Sequence, residues 1–242
     1  MSVGMSAPTG SHLGAGYGEH RGQPTVWIRR IDLGDVRAAT SAMASHLSED
    51  ERRRADRGVP AVRQRRILLR AGLRQFLGEL LDLQPHRVPL VEDDGRPHLP
   101  TTRQDLHLSC SASGRVGLVA VSPGWAVGVD VELHRDDGAR AALDEGWLDP
   151  AEERRLLQLA PSGRSQAVTR CWTQKEAVLK GLGLGLHRHP RTVRTPVAPS
   201  GRCEGWWLEP VAVAHGHVAT VAVSTGVNGL DLFVEDMTVG EN

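Results

Sequence analysis

Lysine is almost absent from this chain of 242 residues, which contains 27 arginines and only two lysines. Both lysines, Lys175 and Lys180, lie in the segment 172–180. The lysine ammonium is a compact charge that can lose its proton when buried, whereas the arginine guanidinium stays charged. The two lysines therefore indicate a place where arginine cannot replace them, and chance clustering is the alternative explanation.

Other features are scarce too, and each scarcity disfavours a class of protein. No apolar run reaches the roughly 18 residues of a membrane span, and residues 1–24 carry no hydrophobic signal core, so we expect a cytoplasmic protein without a membrane partner. The cysteines are odd in number and form no C-x-x-C pair, which indicates neither a disulfide framework nor structural zinc. A formal net charge of zero argues against binding nucleic acid through overall charge.

The first half of the chain predicts a lobe over residues 25–123, after a disordered tail over residues 1–24. A capping box at Ser48 and Glu51 begins a helical stretch that Pro60 divides into two helices. Apolar and alternating segments predict three strands, at 26–31, 106–109 and 116–122.

The second half predicts the same order of elements over residues 124–236, before a short tail at 237–242. Its strands are expected near 127–133, 206–213 and 218–224, and its helices near 149–159 and 164–181. At an offset of 102 residues, the segment 118–122 matches 220–224. These matches favour two α+β lobes related by an internal duplication, with a small-molecule cleft between them.

Two carboxylates interrupt the apolar strand predicted at residues 127–133. Side chains alternate along a strand, so Asp130 and Glu132 share one face and repel each other unless a cation lies between them. Oxygen ligands of this kind suit Mg²⁺, which leaves further positions for water and substrate phosphates. A solvated edge strand is the alternative.

The lysine segment predicts a helix with one polar face. Trp172, Glu176 and Lys180 follow one another at intervals of four residues along that face, and Lys175 lies about a quarter-turn away. The alternative is an exposed Glu–Lys pair that stabilises the helix by about 0.2–0.5 kcal/mol. The apolar neighbours of these residues favour a packed helix.

Positive charge concentrates in the segment 52–74, where nine arginines accompany one aspartate. This pattern predicts a face that binds anions, or a solvated one. No aromatic residue interleaves with the arginines before Phe76, so a phosphorylated small molecule is a better candidate ligand than nucleic acid. The pairs His215/His217 and His187/His189 are interpreted as turn and loop residues and not as zinc ligands.

Four motifs in this order resemble the 4′-phosphopantetheinyl transferases of the surfactin-synthetase-activating type, in the branch with Trp and Lys-Glu-Ala. They are Gly95-Arg96-Pro97, Leu108-Ser109-Cys110-Ser111, Gly128-Val129-Asp130-Val131-Glu132 and Trp172-Thr173-x-Lys175-Glu176-Ala177-x-x-Lys180. The resemblance covers residues 47–224 and implies an α+β monomer of two pseudo-twofold-related lobes. Each lobe would hold a small antiparallel-rich sheet with packed helices, and coenzyme A would bind between them.

The resemblance also implies an activity. Family members move the phosphopantetheine arm of coenzyme A onto a serine of an acyl or peptidyl carrier protein, with Mg²⁺ as cofactor. The metal ligands would be Asp130, Glu132 and Glu176. Glu176 would also accept the serine proton, and Lys180 would contact the transferring phosphate. Coenzyme A contacts would come from Arg53, Arg66, Gly95, Arg96, Pro97, Ser109, Cys110, Asp130, Lys175 and Lys180.

One position departs from the family pattern. Cys110 stands where the family usually has a histidine that contacts the 3′-phosphate of coenzyme A, and a neutral thiol is only a weak donor. The contact would move to Arg115 or to another arginine. This departure leaves two alternatives to an active transferase: a catalytically weak or inactive paralogue that binds coenzyme A or a carrier, and a different metal-dependent phosphoryl enzyme. The sequence does not show which carrier is the partner.

Overall fold

The computed structural model describes residues 22–34, 43–57, 59–93, 96–100, 105–134, 145–184 and 188–237. Most of the predicted N-terminal tail, Gly95 and residues 238–242 lie outside these ranges. None of the described helices is long and apolar enough to cross a membrane.

Among the described residues, the first half of the chain forms five strands and two α-helices. They are β1 (Thr25–Asp32), α1 (Glu49–Asp56), α2 (Pro60–Leu81), β2 (Val91–Asp93), β3 (Arg96–His98), β4 (Leu106–Ser113) and β5 (Val116–Pro123). The capping box predicted at Ser48 and Glu51 is present, and Pro60 begins α2 as its first residue. Proline suits that position because a first-turn backbone nitrogen needs no intrahelical partner.

In the described part of the second half there are five strands and two α-helices. They are β6 (Val127–Leu133), α3 (Pro150–Gln158), α4 (Pro161–Leu182), β7 (Gly201–Cys203), β8 (Trp206–Pro210), β9 (His217–Ser224) and β10 (Asp231–Asp236). A second capping box, at Asp149 and Glu152, begins α3. These elements confirm the α+β fold predicted from the sequence.

Two four-stranded sheets pack against each other. Their strand orders are β10-β1-β5-β4 and β6-β9-β8-β7, and β2 and β3 form a separate hairpin. Alternate apolar residues of β1, β5, β6 and β9 share one core between the sheets. The helix α2 covers the outer face of the first sheet and α4 covers that of the second. The helices therefore form the outer layers of the fold.

The internal duplication is visible in the strand register. Ile28 pairs with Ala120 in the first sheet, and Val129 pairs with Val221 in the second, so both partners recur 101 positions later. The offset of 102 predicted from the sequence is therefore one residue too long. Every residue of β5 is buried, so its apolar sequence matches that of β9 almost equally well at an offset of 101 or of 102. A shift of one residue nevertheless exchanges the two faces of the strand.

The strand β10 was not predicted. It pairs in parallel with β1, with Val26 opposite Leu232, although it follows the second lobe in sequence. The predicted lobe boundaries place this segment in residues 124–236, whereas its hydrogen bonds join it to the first sheet. Its residues are only partly buried or exposed, which is typical of an edge strand with a weak hydrophobic pattern.

Each half buries one ion pair in the same place. Glu51 accepts a hydrogen bond from Nε of Arg74 at 2.6 Å, and Nη1 of Arg74 donates to the carbonyls of Pro85 and Val88. In the second half, Glu152 lies 2.7 Å from Nζ of Lys175. That ammonium donates to the carbonyls of Pro190 and Val193. These two networks tie each capping box to the neighbouring long helix.

Glycine at position 128 lets α4 approach β6 closely. A Cβ atom there would overlap the carbonyl oxygen of Ala177 and lie 2.6 Å from the backbone nitrogen of Gly181. Because both obstacles belong to the backbone of α4, the helix would have to move away from the strand. This approach brings the side chains of α4 close to Asp130 and Glu132.

We expect Gly128→Ala to destabilise the protein by about 3 kcal/mol or more, since the added methyl group collides with backbone and not with a movable side chain. Urea denaturation measures the change. Gly163→Ala is the matched control on α4, because a Cβ there meets nothing within 4 Å and alanine favours helix by roughly 0.5–1 kcal/mol. Equal stability of the two variants would contradict the close packing.

Candidate functional site

A cleft of about 1420 Å³ is lined by residues from both halves of the chain. The first half contributes five arginines, on or next to α1, α2 and β3, together with three acidic residues and with apolar and polar residues that include those of β4. The second half contributes Glu176, Lys180 and the residues that follow α4. The cleft thus has guanidinium groups on one wall and a carboxylate with an ammonium on the other.

An ion pair joins α4 to β6 beside the cleft, whose lining includes Lys180 but not Asp130. Nζ of Lys180 lies 2.6 Å from Oδ1 of Asp130, and it also donates to Oγ of Ser111 at 2.8 Å. Asp130 is buried, whereas the side chain of Lys180 is 27% exposed. The ammonium is therefore held by the protein at one side and reachable from the cleft.

Three serines on one face of β4 connect the two sheets through hydrogen bonds. The hydroxyl oxygens of Ser109, Ser111 and Ser113 accept hydrogen bonds from backbone nitrogens of β6, namely those of Val129, Val131 and Leu133. Ser111 also donates to Asp130 at 2.8 Å, and Ser113 donates to Glu132 at 2.9 Å. The serines thereby orient both carboxylates of the predicted D-x-E pair.

Two buried carboxylate oxygens have no hydrogen-bond partner among the described residues: Oδ2 of Asp130 and Oε1 of Glu176. Burial raises the pKa of Asp130, and the charge of Lys180 opposes that shift. Burial also raises the pKa of Glu176, and the negative charges of Asp130 and Glu132 raise it further. These oxygens are the atoms of the site at which a cation could be held.

In the part of the chain that the structure describes, no group of three His, Cys, Asp or Glu side chains is arranged around a common metal position. The predicted ligands Asp130, Glu132 and Glu176 influence one another electrostatically, but Lys180 lies on Asp130 and Ser113 on Glu132. The three-carboxylate metal site therefore stays a prediction.

Lys175 does not reach the cleft. Its side chain is fully buried in the ion pair with Glu152, 101 positions after Arg74 in the equivalent pair. An arginine therefore performs the same structural role in the first half, so this lysine gives no support to the idea that arginine cannot replace it. We leave Lys175 out of the proposed site.

Most of the predicted coenzyme A contacts from the first half line the cleft. These are Arg66, Arg96, Pro97, Ser109 and Cys110. Arg96 also donates to the carbonyl of Lys180, which links the β2–β3 hairpin to the end of α4 across the cleft. Burial raises the pKa of the Cys110 thiol to about 11, so the thiol is uncharged at neutral pH.

The other two predicted contacts from the first half are not among the described residues that line the cleft. Arg53 pairs with Glu49 at 2.8 Å and with Asp50. Its side chain is 61% exposed and does not line the cleft. Gly95 lies outside the described residues. The neighbouring Arg54 lines the cleft instead, because successive helical residues point about 100° apart.

Sequence reasoning did not single out four residues that shape the site. Arg54 and Arg70 were included only as part of the arginine-rich segment 52–74, and Glu92 and Ser113 were missed. Glu92 on β2 accepts hydrogen bonds from both Arg54 on α1 and Arg70 on α2. No short motif joins these residues, because they are brought together from three elements. The serines were detectable, since Ser109, Ser111 and Ser113 recur at every second position and so share one face of a strand.

The first lobe contains a counterpart of the Asp130–Lys180 pair with the charges reversed. Arg29 on β1 lies 3.3 Å from Glu79 on α2, and both residues precede Asp130 and Lys180 by 101 positions. In addition, Gln75 occupies the position of Glu176. The duplicated scaffold thus keeps a strand-to-helix ion pair in both lobes. In the first lobe Glu235 on β10 also contacts Arg29, whereas in the second lobe the charges of Glu132 and Glu176 surround Asp130.

The fold and the cleft define a duplicated α+β protein with arginines from the first lobe facing Glu176 and Lys180 of the second. Residues 126–225 match the family described as the 4′-phosphopantetheinyl transferase superfamily. Over 207 residues, the chain is 30% identical to the 4′-phosphopantetheinyl transferase HetI of Nostoc sp. (strain PCC 7120 / SAG 25.82 / UTEX 2576). That similarity covers 82% of this chain and 87% of the relative.

This chain belongs to the 4′-phosphopantetheinyl transferase superfamily. The family predicted from the four motifs is therefore confirmed, and with it the prediction of a transferase. The match covers the strands β6, β8 and β9 and the helix α4, which carry Asp130, Glu176 and Lys180. The surfactin-synthetase-activating branch stays a prediction.

We expect Glu176→Gln to raise the thermal midpoint of the metal-free protein at neutral pH by roughly a few degrees. The raised pKa of Glu176 means that the folded state binds a proton more readily than the unfolded chain, so the wild type loses stability as the pH rises through that pKa. Glutamine removes this loss. Thermal unfolding from about pH 4 to pH 8 measures it.

The advantage of Glu176→Gln should disappear below pH 4.5, the ordinary pKa of a glutamate, where both folded and unfolded wild type are protonated. Glu153→Gln is the matched control, at a partly buried position of α3 outside the cleft. A stability difference that is independent of pH would show that the charge of Glu176 is not responsible.

Proposed function

We propose that this protein transfers the 4′-phosphopantetheine arm of coenzyme A to a serine of an apo acyl or peptidyl carrier protein and releases 3′,5′-ADP, in a reaction that requires Mg²⁺. The observation that carries the proposal is the position of Glu176 and Lys180. Both face one cleft opposite a wall of arginines, in a chain of this family.

The donor set fits a divalent cation. Asp130 and Glu176 each have one buried oxygen without a partner among the described residues, and their mutual repulsion would be relieved by positive charge. Mg²⁺ prefers such oxygen ligands and leaves positions for substrate phosphates. When bound, it would neutralise charge on the pyrophosphate and stabilise the leaving group. Asp130 and Glu176 would hold it, with Glu132 as the third predicted ligand.

The transfer exchanges one bond to phosphorus for another. The serine oxygen of the carrier forms a bond to the β-phosphorus of coenzyme A, and the bond from that phosphorus to the bridging oxygen breaks. The electron pair of the broken bond leaves on 3′,5′-ADP. Glu176 accepts the serine proton, which its raised pKa favours because a stronger base takes the proton more readily at neutral pH.

Lys180 supplies positive charge to the phosphate that is transferred. Its ammonium is oriented by Asp130 and Ser111 and remains partly exposed to the cleft. A preoriented charge of this kind stabilises the transition state without reorganisation during the reaction. The arginines of the opposite wall bind the remaining phosphates of coenzyme A, with Arg66 at the 3′-phosphate.

The test incubates the protein with coenzyme A, Mg²⁺ and three apo-carriers, one each from fatty acid, polyketide and peptide synthesis. Mass spectrometry should detect a gain of one phosphopantetheine arm on at least one carrier, and the gain should require Mg²⁺. Glu176→Gln should slow the transfer by about 10²–10⁴-fold, the usual contribution of a general base. Lys180→Arg should also slow it, although the charge is kept.

Arg63→Lys is the matched control for Lys180→Arg, because it exchanges the same two cations in an exposed ion pair with Asp56 outside the cleft. Its rate should equal that of the wild type. Coenzyme A binding without transfer to any carrier would identify a binding paralogue. Release of a nucleotide without a carrier would identify a different phosphoryl enzyme. Either result contradicts the proposal.

A further inference from the structure

The hydroxyl group of Ser111 contacts three groups of the second lobe, although Ser111 itself belongs to β4 in the first sheet. Its oxygen accepts hydrogen bonds from the backbone nitrogen of Val131 at 3.3 Å and from Nζ of Lys180 at 2.8 Å. It donates to Oδ1 of Asp130 at 2.8 Å. Ser111 is buried, so one hydroxyl group joins the two sheets at the strand-to-helix ion pair.

These three contacts use the full hydrogen-bonding capacity of a serine side chain. A hydroxyl group has one hydrogen to donate and two lone pairs that accept. Because a backbone nitrogen and an ammonium can only donate, Val131 and Lys180 occupy both lone pairs, and the hydrogen is left for Asp130. The hydroxyl hydrogen therefore has a defined direction, and no further capacity remains for a water molecule.

The ammonium group of Lys180 receives a direction from this arrangement. It has three hydrogens, of which one is donated to Ser111 and one to Oδ1 of Asp130 at 2.6 Å. A lysine side chain is flexible, so a single partner would fix the distance of the ammonium but not its orientation. Two acceptors on different strands, β4 and β6, fix both. The third hydrogen stays available to the cleft, which Lys180 lines with a side chain that is 27% exposed.

The same contacts make the two oxygens of Asp130 unequal. Both donors, Lys180 and Ser111, bind Oδ1, whereas Oδ2 has no partner among the described residues. Two donors on one oxygen restrict the rotation of the carboxylate, so the unpaired oxygen keeps a defined position. Ser111 therefore acts on the ammonium and on the carboxylate at once.

The internal duplication shows that the fold itself does not require this hydroxyl group. At the offset of 101 residues, three residues without a hydroxyl group correspond to Ser109, Ser111 and Ser113, namely Pro210, Ala212 and Ala214. Ala212 lies at the equivalent place, since its carbonyl accepts a hydrogen bond at 3.0 Å from Arg30, which precedes Val131 by the same offset. The serines thus occur only beside the ion pair that contains an ammonium group.

We infer that Ser111 is a positioning residue for the transfer, which holds the ammonium of Lys180 so that its remaining hydrogen is directed to the phosphate in the cleft. The inference rests on the proposed function, because that phosphate is the one transferred from coenzyme A. A residue of the first lobe thereby orients the charge that the second lobe contributes. Without the hydroxyl group, Lys180 keeps its ion pair with Asp130 but loses its orientation.

The two lysines of the chain make the inference measurable without substrate or metal. In the full chain labelled with ¹⁵N-lysine, NMR should detect two ammonium signals, and Lys180→Arg assigns them by removing one. Ser111→Ala should accelerate hydrogen exchange of the Lys180 ammonium with water by about tenfold or more, the effect of losing one hydrogen bond to a charged group. The signal of Lys175 should not change, because its ammonium is buried against Glu152 and does not line the cleft.

Ser122→Ala is the matched control, because Ser122 is a fully buried serine of β5 that donates to the carbonyl of Thr25 and does not line the cleft. It should leave the exchange of both ammonium groups unchanged. Ser111→Thr keeps the hydroxyl group on a residue type that suits a strand, so it should retain slow exchange. If thermal unfolding shows that Ser111→Ala does not fold, Ser111→Cys replaces the hydroxyl with a weaker donor and acceptor and should show the same acceleration.

The carrier assay supplies the second readout. Ser111→Ala should lower kcat by about tenfold to a hundredfold with little change in the KM for coenzyme A, because the orientation of Lys180 acts on the transition state. Ser111→Thr should restore most of the rate, and Ser122→Ala should transfer at the rate of the wild type. A serine that only supported the fold would change the thermal midpoint and leave the kcat of the folded protein unchanged.

Four results would overturn the inference: unchanged exchange at Lys180 in Ser111→Ala, the same acceleration in Ser122→Ala, a raised KM with unchanged kcat, or a folded Ser111→Thr that is as slow as Ser111→Ala. The NMR measurement separates the two proposals, because it requires neither coenzyme A nor a carrier. Accelerated exchange in Ser111→Ala, together with a wild type that modifies no carrier, disproves the proposed function alone. A wild type that modifies a carrier, with Ser111→Ala equal to it in both measurements, disproves the inference alone.

Discussion

The ion pair between Lys180 and Asp130 joins α4 to β6, and the chemistry of the cleft depends on it. Gly128 allows the helix to approach the strand closely enough for this contact. Lys180 donates a hydrogen bond to one oxygen of Asp130. Among the described residues, the second oxygen of Asp130 and one oxygen of Glu176 have no hydrogen-bond partner. The pair therefore neutralises the buried carboxylates only in part. That remaining negative charge can hold a cation, while the ammonium stays available for a phosphate.

The duplication explains why the two lysines have different roles. Lys175 repeats the structural role of Arg74, since each residue binds the glutamate of a capping box and two backbone carbonyls. Lys180 instead takes the position of Glu79, and Asp130 that of Arg29, so the strand-to-helix pair has exchanged its charges between lobes. One scaffold thus provides a buried structural ion pair in both lobes, whereas the strand-to-helix pair of the second lobe is the one that we propose takes part in the reaction. Of the two lysines, only Lys180 retains the significance suggested by the composition.

Local signals predicted much of the fold. Some features depend only on residues that are neighbours in sequence, so they can be predicted directly. These are the capping box at Ser48, the proline at the start of α2 and the carboxylates of β6. The strand β10 and the register of the duplication depend on pairing between distant segments. A uniformly apolar strand such as β5 gives little information about its pairing register. The cluster of Arg54, Arg70 and Glu92 was missed for the same reason, because three separate elements form it.

We propose that the unpaired carboxylate oxygens on β6 and α4 bind a divalent cation. The most direct measurement is the thermal midpoint of the protein as Mg²⁺ is added in the presence of coenzyme A, for the wild type and for Asp130→Asn. A ligand that binds only the folded state raises the midpoint as its concentration increases. Our account predicts that Mg²⁺ raises the midpoint of the wild type and has little effect on Asp130→Asn. Equal increases in both proteins would contradict it.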